Sequence, residues 1–412
     1  MKLHPLVPRI EVTRRDALKL LATGIAALEV GCFEKPGDRD IVPYVAEPPE
    51  LRAGTPTRYA SALTLDGFAT GILVDTHDGR PTKLDGNPAH SASLGGSLPW
   101  LQARILDLYD PQRSRTALRR GVPTTWASLA AELRELPRGP LWLVMPPQSS
   151  PTIAALLARI AARHELRVIF HAPLARTNVY RGHELAYGRA LEHQPDLAAD
   201  VIVALDADPF ARGPMAAAWA RTAAVRRIPR AAGAGAAGGG MSRLWVAEPM
   251  PTPTGTLADE RLPVPASDIA ALATVVAAAA GVPLPAALVR AARERLGARA
   301  RWADRLATDL RSGTSTILVG ERQPPAVHAL ARLIEHQLGA APMLTAPALL
   351  EPLPRHTLTE LAGVTRDATI VVLDCDPVHT SPHDELGAAL GRANLSLHVG
   401  MYRDATSDAC TA

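Results

Sequence analysis

Polar side chains at the predicted carboxyl ends of strands are the first candidates for chemistry in this sequence. Hydroxyls, imidazoles, carboxylates and guanidinium groups are the side chains that hydrogen-bond polar ligands. In an open α/β sheet, ligands collect at the carboxyl ends of the strands, so such side chains share one cleft. The candidates for this cleft are Ser149, Ser150, His171, Asp206, Asp208, Arg322, Asp374 and Asp376.

Several of these candidates also have a structural interpretation. Ser149 and Ser150 would cap the helix that follows them. Asp206 and Asp208 would cap the next helix or accept hydrogen bonds from loop amides. His171 would be a hydrogen-bonded histidine at a strand end. We favour these structural roles over ligand binding.

The cysteines exclude two kinds of metal site. The chain has three cysteines, Cys32, Cys375 and Cys410, and none belongs to a CxxC pair. A cubane iron–sulfur cluster needs about four closely spaced thiolates, and a cysteine-rich zinc site has a similar need. This sequence therefore supplies neither site.

The charge balance and the glycine pattern bear on two further classes of ligand. The net charge is +3 over 412 residues, and no basic stripe with interleaved aromatic residues appears, which disfavours nucleic-acid binding. The pattern Gly233-x-Gly235-x-x-Gly238 has dinucleotide-loop spacing, but it leads into a predicted strand instead of from a strand into a helix. We expect it to be an Ala/Gly loop.

Apolar runs of strand length alternate with helical patterns through most of the chain. Strands are predicted at 140–145, 166–171, 200–206, 243–247, 314–319, 368–373 and 394–399. Helices are predicted at 126–136, 151–164, 214–226, 267–280, 285–310, 325–338 and 384–391, and residues 257–265 are predicted to be irregular. Near-continuous apolar strands separated by helices indicate an α/β fold with parallel, doubly wound sheets.

A predicted β-hairpin, with strands at 72–75 and 81–84, precedes this region. Its segment Gly79-Arg-Pro-Thr-Lys-Leu-Asp-Gly-Asn-Pro-Ala-His90 resembles a segment of the molybdopterin oxidoreductase superfamily. Further segments in matching order are Ile41-Val-Pro-Tyr44, Leu108-Tyr-Asp-Pro111, Arg243-Leu-Trp-Val246 and Arg322-Gln-Pro-Pro325. Together they are most similar to the B-subunit family of alternative complex III, a quinol-oxidising respiratory complex.

The resemblance implies a molybdopterin-oxidoreductase-like fold. Its two doubly wound parallel-sheet domains would follow a small N-terminal β-hairpin region, and the family's fold would continue beyond the chain end. The expected organisation is a twin-arginine signal region at 1–34, a linker at 35–60, a β-hairpin segment at 61–122, a first α/β domain at 123–265 and a second at 266–412.

The resemblance also bears on cofactors. Relatives carry molybdopterin guanine dinucleotide in the cleft, or iron–sulfur clusters in a C-terminal domain that we expect to lie outside this chain. Where relatives have Gly-x-Asn-Pro, this chain has Asp374-Cys-Asp-Pro377, whose carboxylates would repel the phosphates of a dinucleotide. We therefore expect a vestigial cleft, no cofactor, and no catalytic or metal-ligating residue in this chain.

The N-terminus resembles a twin-arginine export signal, with Arg14 and Arg15 before an apolar run at 17–30. Lys19 and Glu29 interrupt this run, which is too short to span a bilayer stably. Cys32 lies where a lipoprotein signal places its modified cysteine, and both lipidation and an unmodified thiol remain open. We expect export to the periplasmic face of the inner membrane, with peripheral or lipid-anchored attachment.

These features predict a non-catalytic scaffold part of a membrane quinol-oxidising complex. Its partners would include an iron–sulfur domain or chain and cytochrome c subunits. A strand ending at Val399 without sheet neighbours would expose an edge and apolar surface, which implies either a partner or poor stability. One alternative is a fragment of a catalytic molybdopterin oxidoreductase of the polysulfide/thiosulfate reductase type. Another is a soluble nucleotide-binding α/β protein, which is weakened by the missing strand–turn–helix glycine loop.

Overall fold

The computed structural model describes Arg52 and residues 54–77, 79–135, 139–228, 241–340, 342–364, 367–381 and 385–412. The export-signal residues Arg14 and Arg15, the lipidation candidate Cys32 and the glycine pattern at 233–238 lie outside the described residues. Pro56–Thr76 and Pro81–Ala412 form one compact unit. Within the described residues, no helix is both long and apolar enough to cross a membrane.

The predicted alternation of strands and helices is present from residue 126 onward. In the described chain, the strands are β1 (Thr57–Leu65), β2 (Phe68–His77), β3 (Arg80–Gly86), β4 (Ala117–Arg119), β5 (Val122–Thr124), β6 (Leu141–Met145), β7 (Leu166–Phe170), β8 (Glu192–Gln194), β9 (Val201–Leu205), β10 (Arg243–Glu248), β11 (Glu260–Pro263), β12 (Ser315–Val319), β13 (Met343–Thr345), β14 (Thr369–Leu373) and β15 (Leu395–Val399).

The α-helices of the same residues are α1 (Pro99–Ala103), α2 (Trp126–Arg134), α3 (Pro151–Ala161), α4 (Thr177–Tyr187), α5 (Ala216–Arg226), α6 (Pro253–Thr256), α7 (Ile269–Ala280), α8 (Ala286–Leu296), α9 (Ala300–Asp309), α10 (Pro325–Gln337), α11 (Leu358–Ala362), α12 (Pro377–Thr380), α13 (Leu386–Arg392) and α14 (Ala405–Ala409). Short 3-10 turns occur at Arg104–Leu108, Ala266–Asp268 and Gly297–Arg299.

A four-stranded parallel sheet, here called sheet I, has the strand order β11-β10-β9-β12. Val201, Val203 and Leu205 of β9 pack into a core shared with α7, α8, α9 and α10. Ile202 and Ala204 pack on the other face, in a cluster that includes a residue of α5. Since successive strand residues point to opposite faces, helices on both sides explain why β9 is apolar throughout.

A second four-stranded parallel sheet, sheet II, has the order β15-β14-β6-β7. It combines β6 and β7 with β14 and β15, while the strands of sheet I lie between these pairs in the sequence. The expected boundary between residues 265 and 266 therefore does not separate the two sheets. Parallel strands are joined by long crossovers, so closeness in sequence does not determine which strands pair.

The N-terminal part of the described chain is a three-stranded sheet of order β1-β2-β3. The predicted hairpin strands at 72–75 and 81–84 lie within β2 and β3, so this prediction is confirmed. Strand β1 was not predicted, and it pairs antiparallel with β2 from Thr57↔Thr76 to Leu65↔Phe68. The expected linker at 35–60 therefore overlaps the start of β1.

Further elements differ from the sequence prediction: the helix predicted at 285–310 is divided into α8 and α9, and β11 and α4 were not predicted. Residues 257–265 were expected to be irregular but contain the edge strand β11. Helix α4 was not predicted, because Gly182 interrupts its pattern. A Cβ at Gly182 would overlap the side chain of His328 and the carbonyl oxygen of Pro325. Close packing on α10 therefore accounts for a helix that local propensity does not favour.

The outer edge of β15 bonds to residues of the same chain. The N–H of His398 donates to the carbonyl oxygen of Ala412 at 2.8 Å. The N–H groups of Thr411 and Ala412 both donate to the carbonyl oxygen of Ser396 at 3.0 Å. The expectation of an unpaired edge at this strand is therefore wrong, and the edge no longer supports the need for a partner.

Candidate functional site

A cavity of about 710 Å³ lies at the carboxyl ends of β9 and β12. Asp206 and Asp208 follow β9, and Glu321 and Arg322 follow β12. The two strands pair in parallel register, so these ends meet at one edge of sheet I. Asp66, from the turn between β1 and β2, also lines the cavity. Of the residues predicted from the sequence, the structure thus brings together Asp206, Asp208 and Arg322.

One wall of the cavity is an ionic network within the protein. Arg176 lies 2.6 Å from Glu192 through Nη2 and 3.3 Å from Glu321 through Nε. The hydroxyl of Tyr180 donates to the other oxygen of Glu192 at 2.6 Å. Burial raises the pKa of Glu321 and the pKa of Asp66, and the nearby Arg176 only partly offsets both shifts. This wall stabilises its own charges and places two carboxyl groups with raised pKa values beside the cavity.

Asp206 is held through both its backbone and its side chain. Its φ of 52° lies in the left-handed region, which aspartate tolerates better than most residues. The Asp206 N–H donates to the carbonyl oxygen of Ala247 at 2.7 Å. Its carboxylate accepts a hydrogen bond from Nε2 of Gln323 at 2.8 Å. Asp206 therefore joins the ends of three neighbouring strands of sheet I.

Asp208 and Asp376 bind short helices in the same way. One carboxylate oxygen of Asp208 accepts from the N–H of Thr254 at 3.1 Å and from its hydroxyl at 2.6 Å. One oxygen of Asp376 accepts from the N–H of Thr406 at 3.2 Å and from its hydroxyl at 2.6 Å. Asp376 also caps α12. These contacts are of the structural kind that we favoured for Asp208 from the sequence.

The predicted serines lie at the end of sheet II and do not line the cavity. The hydroxyl of Ser149 donates to the carbonyl oxygen of Gly67 at 2.6 Å, which ties the β1–β2 turn to this sheet. The hydroxyl of Ser150 accepts from the N–H of Ile153 at 3.4 Å and caps α3. Both hydroxyls thus have partners within the chain.

His171 and Asp374 also lie at the end of sheet II. Nε2 of His171 is 2.8 Å from the hydroxyl of Thr380, and burial lowers the pKa of His171. Asp374 has a φ of 47°, and its N–H donates to the carbonyl oxygen of Val399 at 2.8 Å. The candidate residues predicted from the sequence thus lie in two separate places, at the carboxyl ends of the strands of sheet I and of sheet II.

The sequence prediction missed several residues that line the cavity. Arg176 and His183 belong to the start and the interior of α4, a helix that was not predicted. Arg332 lies on α10 three residues before Glu335. The sequence does contain one signal for Arg332. Arg332 and Glu335 form a charged pair at helical spacing among apolar residues.

Two helix N-termini beside these strand ends, those of α6 and α14, have N–H groups that carboxylates of the same chain already bind. Phosphates bind free N–H groups at helix N-termini, but the N–H groups of Thr254 and Thr406 are bound by Asp208 and Asp376. The carboxylate of Asp66 adds like charge to the cavity. Among the described residues, no group of three or more His, Cys, Asp or Glu side chains is arranged to hold a metal ion.

A scan against models of known protein families finds no match to this sequence, and a search of curated proteins finds no significant match. Function is therefore inferred from the site geometry and from the sequence resemblance.

Proposed function

We propose that this chain is a non-catalytic, molybdopterin-oxidoreductase-like scaffold part of a membrane-associated quinol-oxidising complex of the alternative complex III kind. It would contribute surface and rigidity, while other subunits carry the redox centres. The segment Gly79–His90 and the motifs that follow it in order supply the family resemblance. The parallel α/β sheets and the antiparallel N-terminal region are compatible with this proposal.

The proposal that the chain is non-catalytic rests on the hydrogen bonds that Asp208 and Asp376 accept. Both carboxylates accept hydrogen bonds from threonines at the N-terminal ends of short helices, positions that favour phosphate groups in other proteins. A carboxylate in this position supplies a negative charge that fixes the loop and opposes an anionic cofactor. The carboxylates of Asp208 and Asp376 therefore favour a chain that keeps the fold of the family without binding its cofactor.

The proposed setting is the periplasmic face of the inner membrane. Arg14 and Arg15 would direct export by the twin-arginine route, and Cys32 is the candidate for lipid attachment. The proposed partners are an iron–sulfur domain or chain and cytochrome c subunits.

Complementation of a strain that lacks this gene tests the proposal. We expect the full chain to restore assembly of a membrane complex and quinol-dependent reduction of cytochrome c. Asp206→Asn and Arg322→Gln should leave both readouts intact, because a scaffold does not use cavity side chains for chemistry. Loss of activity with normal assembly in either variant would contradict the proposal. The variant with Arg14→Lys and Arg15→Lys should abolish export and, with it, complex assembly.

The cavity of about 710 Å³ favours a second candidate function, a fragment of a catalytic molybdopterin oxidoreductase of the polysulfide/thiosulfate reductase type. Arg176, Arg212 and Arg322 line it together with the carboxylates described above. Bound molybdenum or tungsten would favour this candidate over the scaffold.

A further inference from the structure

The deeper part of the cavity has a chemistry different from that of its rim. His183 of α4, His193 of β8, and His328 and Arg332 of α10 form this part and are here called the inner wall. Their burial is nearly complete for His183 at 2%, Arg332 at 2% and His328 at 4% exposure. Polar groups with so little access to water need partners within the protein or in a ligand.

Arg332 has only part of its hydrogen-bonding capacity satisfied. Its Nη2 donates to the carbonyl oxygen of Ile317 and lies 3.3 Å from an oxygen of Glu335. Its Nε and Nη1 have no hydrogen-bond partner among the described residues. A buried N–H of a charged group without an acceptor is costly, so these two nitrogen atoms require an oxygen atom in the cavity, either from water or from a ligand.

His328 offers an acceptor beside these donors. It hydrogen-bonds the backbone of Gln323, and its Nε2 has no partner within the described chain. Burial, with nearby His183 and Arg332, lowers the pKa of His328 to about 3, so the imidazole is neutral near pH 7. With Nδ1 engaged to the backbone as donor, Nε2 presents a lone pair to the cavity.

His183 repeats this arrangement. Its Nδ1 lies 2.6 Å from the carbonyl oxygen of Leu191, which assigns the proton to Nδ1. Burial lowers the pKa of His183 as well, and it lowers the pKa of His193 strongly. The inner wall therefore combines one guanidinium with neutral imidazoles, an arrangement that attracts an anion and also offers acceptors.

We propose that the inner wall binds a small oxyanion that also carries an O–H group, such as hydrogen phosphate or a 2-hydroxycarboxylate. The oxyanion would accept hydrogen bonds from Nε and Nη1 of Arg332, and its O–H would donate to Nε2 of His328. An anion without an O–H leaves the imidazole unpaired, and a cation cannot accept the hydrogen bonds that Nε and Nη1 of Arg332 offer. The rim carboxylates oppose polyanions, which restricts the site to small ligands.

Calorimetric titration of the full chain tests this proposal with matched probes. Hydrogen phosphate is compared with sulfate, and lactate is compared with propionate, since each second probe lacks the O–H group at neutral pH. We expect at least one O–H-bearing probe to bind about tenfold more tightly than its partner. If the difference in affinity appears between hydrogen phosphate and sulfate, the ligand is a phosphate. If it appears between lactate and propionate, the ligand is a hydroxycarboxylate. No saturable binding of either O–H-bearing probe would mean that water fills the inner wall, which overturns the proposal, as would equal affinities within both pairs.

Variants test whether the ligand binds at the inner wall. Arg332→Met should weaken binding by about tenfold or more, because it removes charge-assisted hydrogen bonds. Arg227→Met is the matched control, because Arg227 pairs with Asp259 and does not line the cavity. Ala211 lines the cavity and carries no charge, so Ala211→Phe reduces the cavity volume while all charged side chains are kept, and it keeps the test valid if Arg332→Met does not fold. Wild-type affinity in Ala211→Phe, or in folded Arg332→Met, would overturn the proposal.

Discussion

Two corners of this chain are built alike at the ends of different sheets. Leu205–Pro209 reads Leu-Asp-Ala-Asp-Pro, and Leu373–Pro377 reads Leu-Asp-Cys-Asp-Pro. In both corners the first aspartate adopts the left-handed conformation, with φ of 52° at Asp206 and 47° at Asp374. The N–H of each then donates to a neighbouring parallel strand. These corners are called the Asp208 corner and the Asp376 corner below.

The second aspartate of each corner also makes equivalent hydrogen bonds. Asp208 and Asp376 each accept both the N–H and the hydroxyl of a threonine in a short helix, Thr254 of α6 or Thr406 of α14. Each threonine hydroxyl then accepts the N–H of the second residue after the aspartate. The same local sequence thus produces the same network of hydrogen bonds twice.

The helices beside the two corners differ in sequence and in burial. Strand β12 leads into α10 beside the Asp208 corner, and β6 leads into α3 beside the Asp376 corner. Aligned on their opening prolines, α10 has His328, Arg332 and Glu335 where α3 has Ala154, Ala158 and Ala161. Helix α10 buries its charged residues, whereas no residue of α3, which the structure describes in full, is buried.

The same aspartate network therefore occurs both with and without buried charged side chains on the neighbouring helix. Both corners brace the backbone with the same aspartates, but only α10 is enclosed by other helices, including α4 and α7. Enclosure removes water and gives a charged side chain its strength as a binding group.

The largest effect is expected for Glu335→Ala. It leaves Arg332 as a buried charge without its ionic partner and removes the acceptor of the Ile317 N–H. We expect the free energy of unfolding to fall by about 3–5 kcal/mol in urea denaturation. The matched change in the exposed helix, Ala161→Glu, should stay within about 0.5 kcal/mol. Similar losses at both positions would break the comparison.

Asp208→Ala and Asp376→Ala should both destabilise the fold, and the loss should be somewhat larger for Asp376, which also accepts the N–H of His379. Each removes an ionised acceptor that binds a threonine N–H and hydroxyl, so each should lower the free energy of unfolding by about 1.5–3 kcal/mol. Because the corners belong to different sheets, the double variant should show the sum of the two losses. Chemical denaturation of the single and double variants measures this. A large loss at one corner with none at the other would contradict the likeness of their networks.

Gly320→Ala probes the packing of the Asp208 corner. A Cβ at Gly320 would overlap the carbonyl oxygen of Asp206, and the backbone would have to move. We expect a loss of about 1–3 kcal/mol in the free energy of unfolding. Pro146 is the corresponding position after β6, and Pro146→Ala should cost only about 0.4–1 kcal/mol. Equal stability of Gly320→Ala and wild type would refute the close contact.

Acid should destabilise the fold partly through His328. The folded-state pKa of His328 is lowered to about 3, while the unfolded chain binds the proton near its ordinary value of 6.5. Between these values the unfolded state binds more protons, so stability falls as the pH decreases, by up to about 1.4 kcal/mol per pH unit for one histidine. His328→Gln should reduce this slope in denaturation measurements from pH 6.5 to 5. Ala154→Gln, at the aligned position of α3, should leave the slope unchanged.

The strands were predictable because burial on both faces leaves a long apolar signal. Residues 140–145 and 200–206 were predicted, and β6 and β9 occupy 141–145 and 201–205. The order of the strands was not predictable, because β14 pairs with β6 across more than half of the chain. Pairing between parallel strands depends on tertiary packing that no local pattern contains.

The candidate site was predictable only at its rim. Asp206, Asp208 and Arg322 follow apolar strands, so their positions at one sheet edge came from the strand pattern. The inner wall depends on α4, a helix that exists through the close approach of Gly182 to His328. A contact between residues so far apart in sequence leaves no periodic signal.

Elemental analysis of the exported full-length chain, purified by itself and with its complex, shows whether the chain carries a redox metal of its own. If the chain is a scaffold without its own redox cofactor, molybdenum and tungsten should remain far below one atom per chain in both samples. Stoichiometric molybdenum or tungsten bound to the isolated chain would contradict the account.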